Sequence, residues 1–157
     1  MADEIERKFL VKEMPDGLSG YEVHRIRQGY VSIGEDGTEV RLREKDGKFF
    51  LTVKSGGNLK RYEVEIRIGR KDFHALWPFT EGRRVEKLRY EIPYGPHVIE
   101  LDVYSGRFEG LVTAEVEFES SEASAAFTPP KWIGKDITSD KRYKNKNLSR
   151  NGLPLDL

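Results

Sequence analysis

The chain has 157 residues, 37% of them hydrophobic and 34% charged, so one globular domain with an unusually charged surface or interior is expected. Lysine plus arginine number 27 and aspartate plus glutamate also 27, which removes the basic excess that a general nucleic-acid or membrane-surface binder carries. There is no cysteine and no apolar run of 18 residues, so disulfides, thiolate chemistry and a membrane-spanning helix are excluded. A soluble, cytoplasmic protein is expected.

In chain order, period-two patterns predict strands at 4–11, 24–33, 39–46, 48–55, 61–68, 83–92, 97–104 and 112–119. Turn signals separate them: GEDG at 34–37, SGGN at 55–58, PYGP at 93–96, and Asp46-Gly47 as a two-residue hairpin. Helices are predicted at 70–77, which stops before Pro78, at 120–127 behind a serine cap, and at 138–149 after Thr138. Residues 1–150 read as a single domain and 151–157 as an irregular tail. The class is α+β, built mainly on antiparallel strands.

Within the strands most charges gather on one parity, with exceptions such as Arg7. Glu4, Glu6 and Lys8 alternate with Ile5, Arg7 and Phe9, and Arg41 and Arg43 alternate with Val40 and Leu42. Glu63 and Glu65, Lys87 and Arg89, Glu100 and Asp102, and Glu115 and Glu117 repeat the pattern. Residues two apart on a strand stand about 7 Å apart on one face, whereas on a helix they diverge. A solvated sheet face explains alternation alone, but such faces mix signs and small polar residues. Here the sign is sorted strand by strand, and like charges set opposite one another are destabilising. Closing eight strands into a barrel turns the charged face into a lumen and leaves the apolar face outward, under the helices. A lumen with both Arg/Lys and carboxylate rows suits a metal–polyphosphate: guanidinium and ammonium groups match phosphate oxygens, and Mg²⁺ mediates between phosphate and carboxylate. Glu4 and Glu6 would then hold metal and Lys8 would reach phosphate.

The stretch EIERK, followed in order by EVRLR, LTVKS, YEVEI, EGRRVEKLRY, ELDVY, AEVEFES and DKRYKN, resembles the CYTH superfamily, the triphosphate tunnel metalloenzymes, across nearly the whole chain. The compact bacterial inorganic triphosphatases of that family are most similar. The resemblance implies an eight-stranded closed antiparallel barrel with helices outside, and hydrolysis of tripolyphosphate to pyrophosphate and phosphate with Mg²⁺ or Mn²⁺, two ions in all. It implies metal ligation by Glu4, Glu6, Glu115 and Glu117, with Glu63, Glu65 and Asp102 as further acidic candidates. Phosphate contacts would come from Lys8, Arg41, Arg43, Lys54, Lys87 and Arg89, with Lys141 or Arg142 at one tunnel mouth. Tyr30 resembles a tyrosine that partners the signature lysine, and a phenol with lowered pKa beside a cation would serve proton transfer. Ordinary packing is its alternative.

His24, His74 and His97 show no ligand spacing and read as packing or surface residues, and Trp77 and Trp132 as cover for the outer face. Nothing fits a P-loop, so phosphate must be held by side chains. Adenylyl cyclase, thiamine- or nucleoside-triphosphatase activity on the same scaffold, and a non-catalytic polyphosphate sensor are the rival readings. An apolar patch left between the outer helices would offer a homodimer interface.

Overall fold

A computed structural model describes residues 5–55 and 62–154. Among the described residues nine strands form one sheet: β1 Ile5–Val11, β2 Glu22–Ile33, β3 Glu39–Lys45, β4 Lys48–Lys54, β5 Glu63–Ile68, β6 Arg84–Tyr94, β7 His97–Tyr104, β8 Val112–Phe118 and β9 Ile133–Asp136. Their order is β5-β4-β3-β2-β6-β7-β8-β1-β9, and every recorded pairing is antiparallel. The eight predicted strands lie at or within a few residues of their predicted places. The ninth follows the Pro129-Pro130 turn and carries no alternation long enough to signal a strand.

The hairpin signals behave as their chemistry requires. Asp46 (φ 52°) and Gly47 (φ 78°) both adopt the left-handed region between β3 and β4, where Lys45 and Lys48 close the ladder. At Gly29, in mid β2, an added Cβ would lie 2.6 Å from the side chain of Thr80, so the loop after α1 presses directly on this strand.

The expected closed eight-stranded barrel is corrected. Among the described residues the sheet is open, with β5 and β9 as its two edges. The strand signals said nothing of β9, which takes the far edge of β1 and shifts register between Phe9 and Val11. Every β5 residue except Ile68 is exposed.

Three apolar clusters hold the layers. On the outer face Phe9, Ile99, Leu101, Ala114, Val116 and Phe118 pack under Phe127, at the end of helix α2 (Ser121–Ala126). Farther along that face Leu42 and Phe49 pack under Phe73 of α1 (Arg70–Leu76). The α2 helix starts where serine signals it: the Ser120 hydroxyl accepts a hydrogen bond from the Ala123 N–H.

The third predicted helix, 138–149, is displaced in both extent and place. Asp140 accepts from the Arg142 N–H and caps a short 3₁₀ turn, Lys141–Tyr143, and the helix proper, α3, is Asn145–Asn151. Ile137, Tyr143 and Leu148 pack on Val85 and Tyr104, whose side chains share the charged face of β6 and β7. The segment therefore covers one end of the charged face, not the outside. It binds both flanks of the open sheet: Lys8 of β1 donates to the Tyr143 carbonyl at 2.6 Å, and Lys146 lies 3.3 Å from Glu39 of β3.

Candidate active site

Cross-strand partners in an antiparallel sheet point the same way, so the registers place the charged residues on one face. Glu22, Glu91, Glu100, Glu115 and Lys8 form one continuous row through β2, β6, β7, β8 and β1. His24, Arg89, Asp102 and Thr113 form the next, and Glu6 pairs with Glu117. Across β5, β4, β3 and β2, Glu65, Thr52, Arg41 and Tyr30 share a third row. The predicted segregation of charge holds, and it extends over both ends of the described chain.

The acidic side is crowded. Burial raises the Glu6 carboxyl above its usual range, and the neighbouring Glu115 and Glu117 add to the rise against the opposing Lys8. Glu100 is raised first by burial; Arg89 opposes, while Glu115, Asp102 and Glu117 add. Lys8 is 3.5 Å from Glu115. Glu115 and Glu117 thus weigh against the negative charge of both Glu6 and Glu100, a loose gathering of carboxylates that a dication would relieve. Of the predicted metal ligands, Glu6, Glu115 and Glu117 meet here, and Glu4 lies outside the described residues. Glu100 joins them through its pairing with Glu115, which alternation within β7 alone does not reveal.

The basic side is crowded in the same way. Burial pulls the Arg43 guanidinium down to about 10, and the adjacent Arg41 and Arg89 charges push further in that direction. Arg41 is 8% exposed, and its Nε is buried without a hydrogen-bond partner among the described residues; its terminal nitrogen is 4.0 Å from Glu65. Arg43 donates through Nε to the fully buried Gln28 side chain at 3.0 Å. Gln28 carries no charge, and only the register to Arg43 reveals it as a positioning residue.

Asp102, predicted among the metal ligands, is placed otherwise. It is 1% exposed, accepts from Nε and Nη2 of Arg89 at 2.8 and 2.9 Å, and lies 2.9 Å from Lys87 Nζ. Burial alone would raise this carboxyl; Lys87 and Arg89 overcome it and hold it at about 2. Lys87 is pulled down to about 8 by complete burial, with Asp102 opposing. Both oxygens of Asp102 are thus committed to cations, and its work here is to aim Arg89. Glu63 stands on edge strand β5, 4.0 Å from Lys54 and far in strand order from β1 and β8. Lys141 lines an open concavity of about 860 Å³ together with Arg7 and Asp136, where Arg7 belongs to the apolar parity of β1.

The acidity expected of Tyr30 is corrected. Burial raises its phenol above the ordinary value, and Arg41, its cross-strand neighbour, only partly offsets this. It is on β2 near Gln28 and Arg41, four strands from Lys8, so it does not partner the signature lysine through pairing. The phenol therefore stays protonated beside Arg41.

Sheet, sorted charges and the two crowded sites belong together in one protein class. The model of the CYTH domain family matches residues 2–151, and the chain belongs to that family. It is 51% identical over 150 residues to the inorganic triphosphatase of Nitrosomonas europaea, covering 93% of this chain and 96% of that protein. It is 37% identical over 159 residues to the inorganic triphosphatase of Acetivibrio thermocellus, with 96% of each chain covered. A crystal structure of an inorganic triphosphatase superposes with a TM-score of 0.81, 46% identity and 98% coverage of each chain. The described residues contain no helix long and apolar enough to cross a membrane.

Proposed function

We propose that the protein hydrolyses inorganic triphosphate to pyrophosphate and phosphate, one water entering and one phosphoanhydride bond breaking, with Mg²⁺ or Mn²⁺ bound. The observation that carries this reading is the pair of crowded sites on one face. Arg41 and Arg89 raise the cost of the positive charge on Arg43, while Glu115 and Glu117 raise the cost of the negative charge on Glu6 and Glu100. A polyanion and a dication relieve both at once. The two triphosphatase relatives, 51% and 37% identical over nearly full length, support the substrate.

In this reading Arg41, Arg43, Lys87 and Arg89 line the triphosphate chain, with the Nε of Arg41 supplying a donor that has no partner among the described residues. Asp102 and Gln28 fix Arg89 and Arg43 in place, so little reorganisation is needed as charge builds on the transferring phosphoryl group. Lys8, between Glu115 and the Tyr143 carbonyl, joins the two halves and neutralises oxygen charge beside the acidic site. Glu6, Glu100, Glu115 and Glu117 would hold the dication, which neutralises phosphate oxygens and lowers the pKa of a bound water. Lys54 and Glu4 are assigned here by family resemblance.

Phosphate release should be measured from tripolyphosphate, ATP and thiamine triphosphate with Mg²⁺, with Mn²⁺ and with chelator. Metal-dependent release from tripolyphosphate, at least tenfold faster than from the other two, is expected. Cyclic AMP formed from ATP, or tight tripolyphosphate binding without turnover, would replace this reading with a cyclase or a sensor.

A further inference from the structure

The outer end of the acidic row holds a second cluster that the triphosphate reading does not use. Glu22 and Glu91 are directly opposed across β2 and β6, an arrangement of like charges that is unfavourable without a counter-ion. His24, two residues along β2, turns its Nε2 toward both: 3.1 Å from Glu22 and 3.4 Å from Glu91. One ligand atom from each of the three lies within 4.8 Å of the others. The imidazole is itself oriented. Its Nδ1 meets the Asp46 carboxylate, whose other oxygen accepts the Arg25 N–H at 2.9 Å. That backbone bond and the left-handed turn at Asp46 fix the carboxylate behind the ring.

We propose that Glu22, His24 and Glu91 form a further metal site, selective for a transition-metal dication of the zinc type. Asp46 acts as the outer carboxylate that orients the histidine. An imidazole nitrogen converging with two carboxylate oxygens is a donor set that zinc accepts, with water completing the sphere, whereas Mg²⁺ prefers oxygen alone. A carboxylate on the far ring nitrogen fixes the tautomer that leaves Nε2 free to ligate, the arrangement that commonly backs a metal-bound histidine. The cluster is open to entry, since the Glu22 side chain is 65% exposed while that of His24 is only 15% exposed. Glu22 stands three strands from Glu115, roughly 14 Å at the usual strand spacing, while Glu91 is the cross-strand neighbour of Glu100, so the two groups adjoin in one row but share no ligand. Occupancy would pin β2, β6 and the β3–β4 hairpin to one another. The competing account is a protonated His24 paired with three carboxylates and no metal at all.

The test is Zn²⁺ titration of the full chain in excess Mg²⁺, followed by imidazole nitrogen NMR and calorimetry. Saturable movement of the His24 Nε2 resonance is expected, with His74 and His97 unmoved. His24→Gln should remove one calorimetric equivalent of Zn²⁺, and Asp46→Asn should weaken that equivalent about 10- to 100-fold. If His24→Gln fails to fold, Glu22→Gln at an exposed position must lower the affinity instead. A His24 resonance that Zn²⁺ leaves unchanged, or the same Zn²⁺ stoichiometry in wild type and His24→Gln, overturns the proposal.

Discussion

Asp102 shows how one side chain can serve a site it does not enter. Its two oxygens are consumed by Arg89 and Lys87 in a position with 1% exposure. Asp102→Asn leaves Lys87 buried beside a neutral amide and frees Arg89 from its bidentate hold. Loss of about 3–5 kcal/mol of stability is expected, because removing one partner strands a desolvated charge. Thermal unfolding checks this, and a melting temperature within a degree of wild type would show that the pair is not load-sharing as described. Lys8→Ala should behave in the opposite sense: a drop in turnover of about 10²–10³ with near-native stability, since Lys8 sits at the mouth of the acidic site and not in an apolar core. Steady-state phosphate release and a melting curve on the same sample separate the two effects.

At the scale of elements, α1 is held by one buried ring. Phe73 is 0% exposed, its centroid 4.8 Å from that of Phe49 and 5.1 Å from that of Trp77. Phe73→Ala should cost about 3–5 kcal/mol and loosen α1 from β4, visible as lost amide protection over residues 70–76. The strands themselves were legible in the sequence because alternation is a local signal, and so was the gathering of Glu6, Glu115, Arg41 and Arg43 on one face. Pairing was not. Whether Asp102 meets a metal or Arg89, and whether Glu63 stands near Glu6, depends on strand order, which no local pattern encodes. The third helical segment illustrates the same limit. Its apolar residues Tyr143 and Leu148 announce burial, but nothing in their spacing says that they cover the charged face and not the outer one. The acidity expected of Tyr30 failed for a related reason: a neighbouring cation was foreseen, while the depth of burial that outweighs it was not.

For the whole molecule, the acid limb of stability follows from the buried ion pairs. Asp102 has a folded pKa of about 2 against an ordinary 3.8, so below 3.8 the unfolded chain binds a proton that the native state refuses. Its contribution is fully present above about pH 4 and is lost as pH falls toward 2, a change of about 2 kcal/mol. Urea titrations at pH 4, 3 and 2 measure it. Glu6 and Glu100, raised above 4.5, work in the other direction: ionising them at neutral pH weakens the native state. Mg²⁺ should therefore stabilise the native state at pH 7 by about 2.7 kcal/mol at a hundredfold excess over Kd, seen as a raised melting temperature, and have no effect below pH 4. Equal shifts at both pH values would mean that the ion is bound elsewhere.

Strand β1 lies between β8 and β9, so the first strand finds both its partners near the far end of the chain. A ribosome must therefore deliver almost everything before Glu6 and Lys8 can meet Glu115. Until then β1 waits with both edges unpaired while β2–β7 assemble from neighbouring hairpins. Such long-range closure is slow and leaves a strand open to misassociation. The strands β8 and β9 thus complete the ladder and bring Glu115 and Glu117 to Lys8 and Glu6 in the same event.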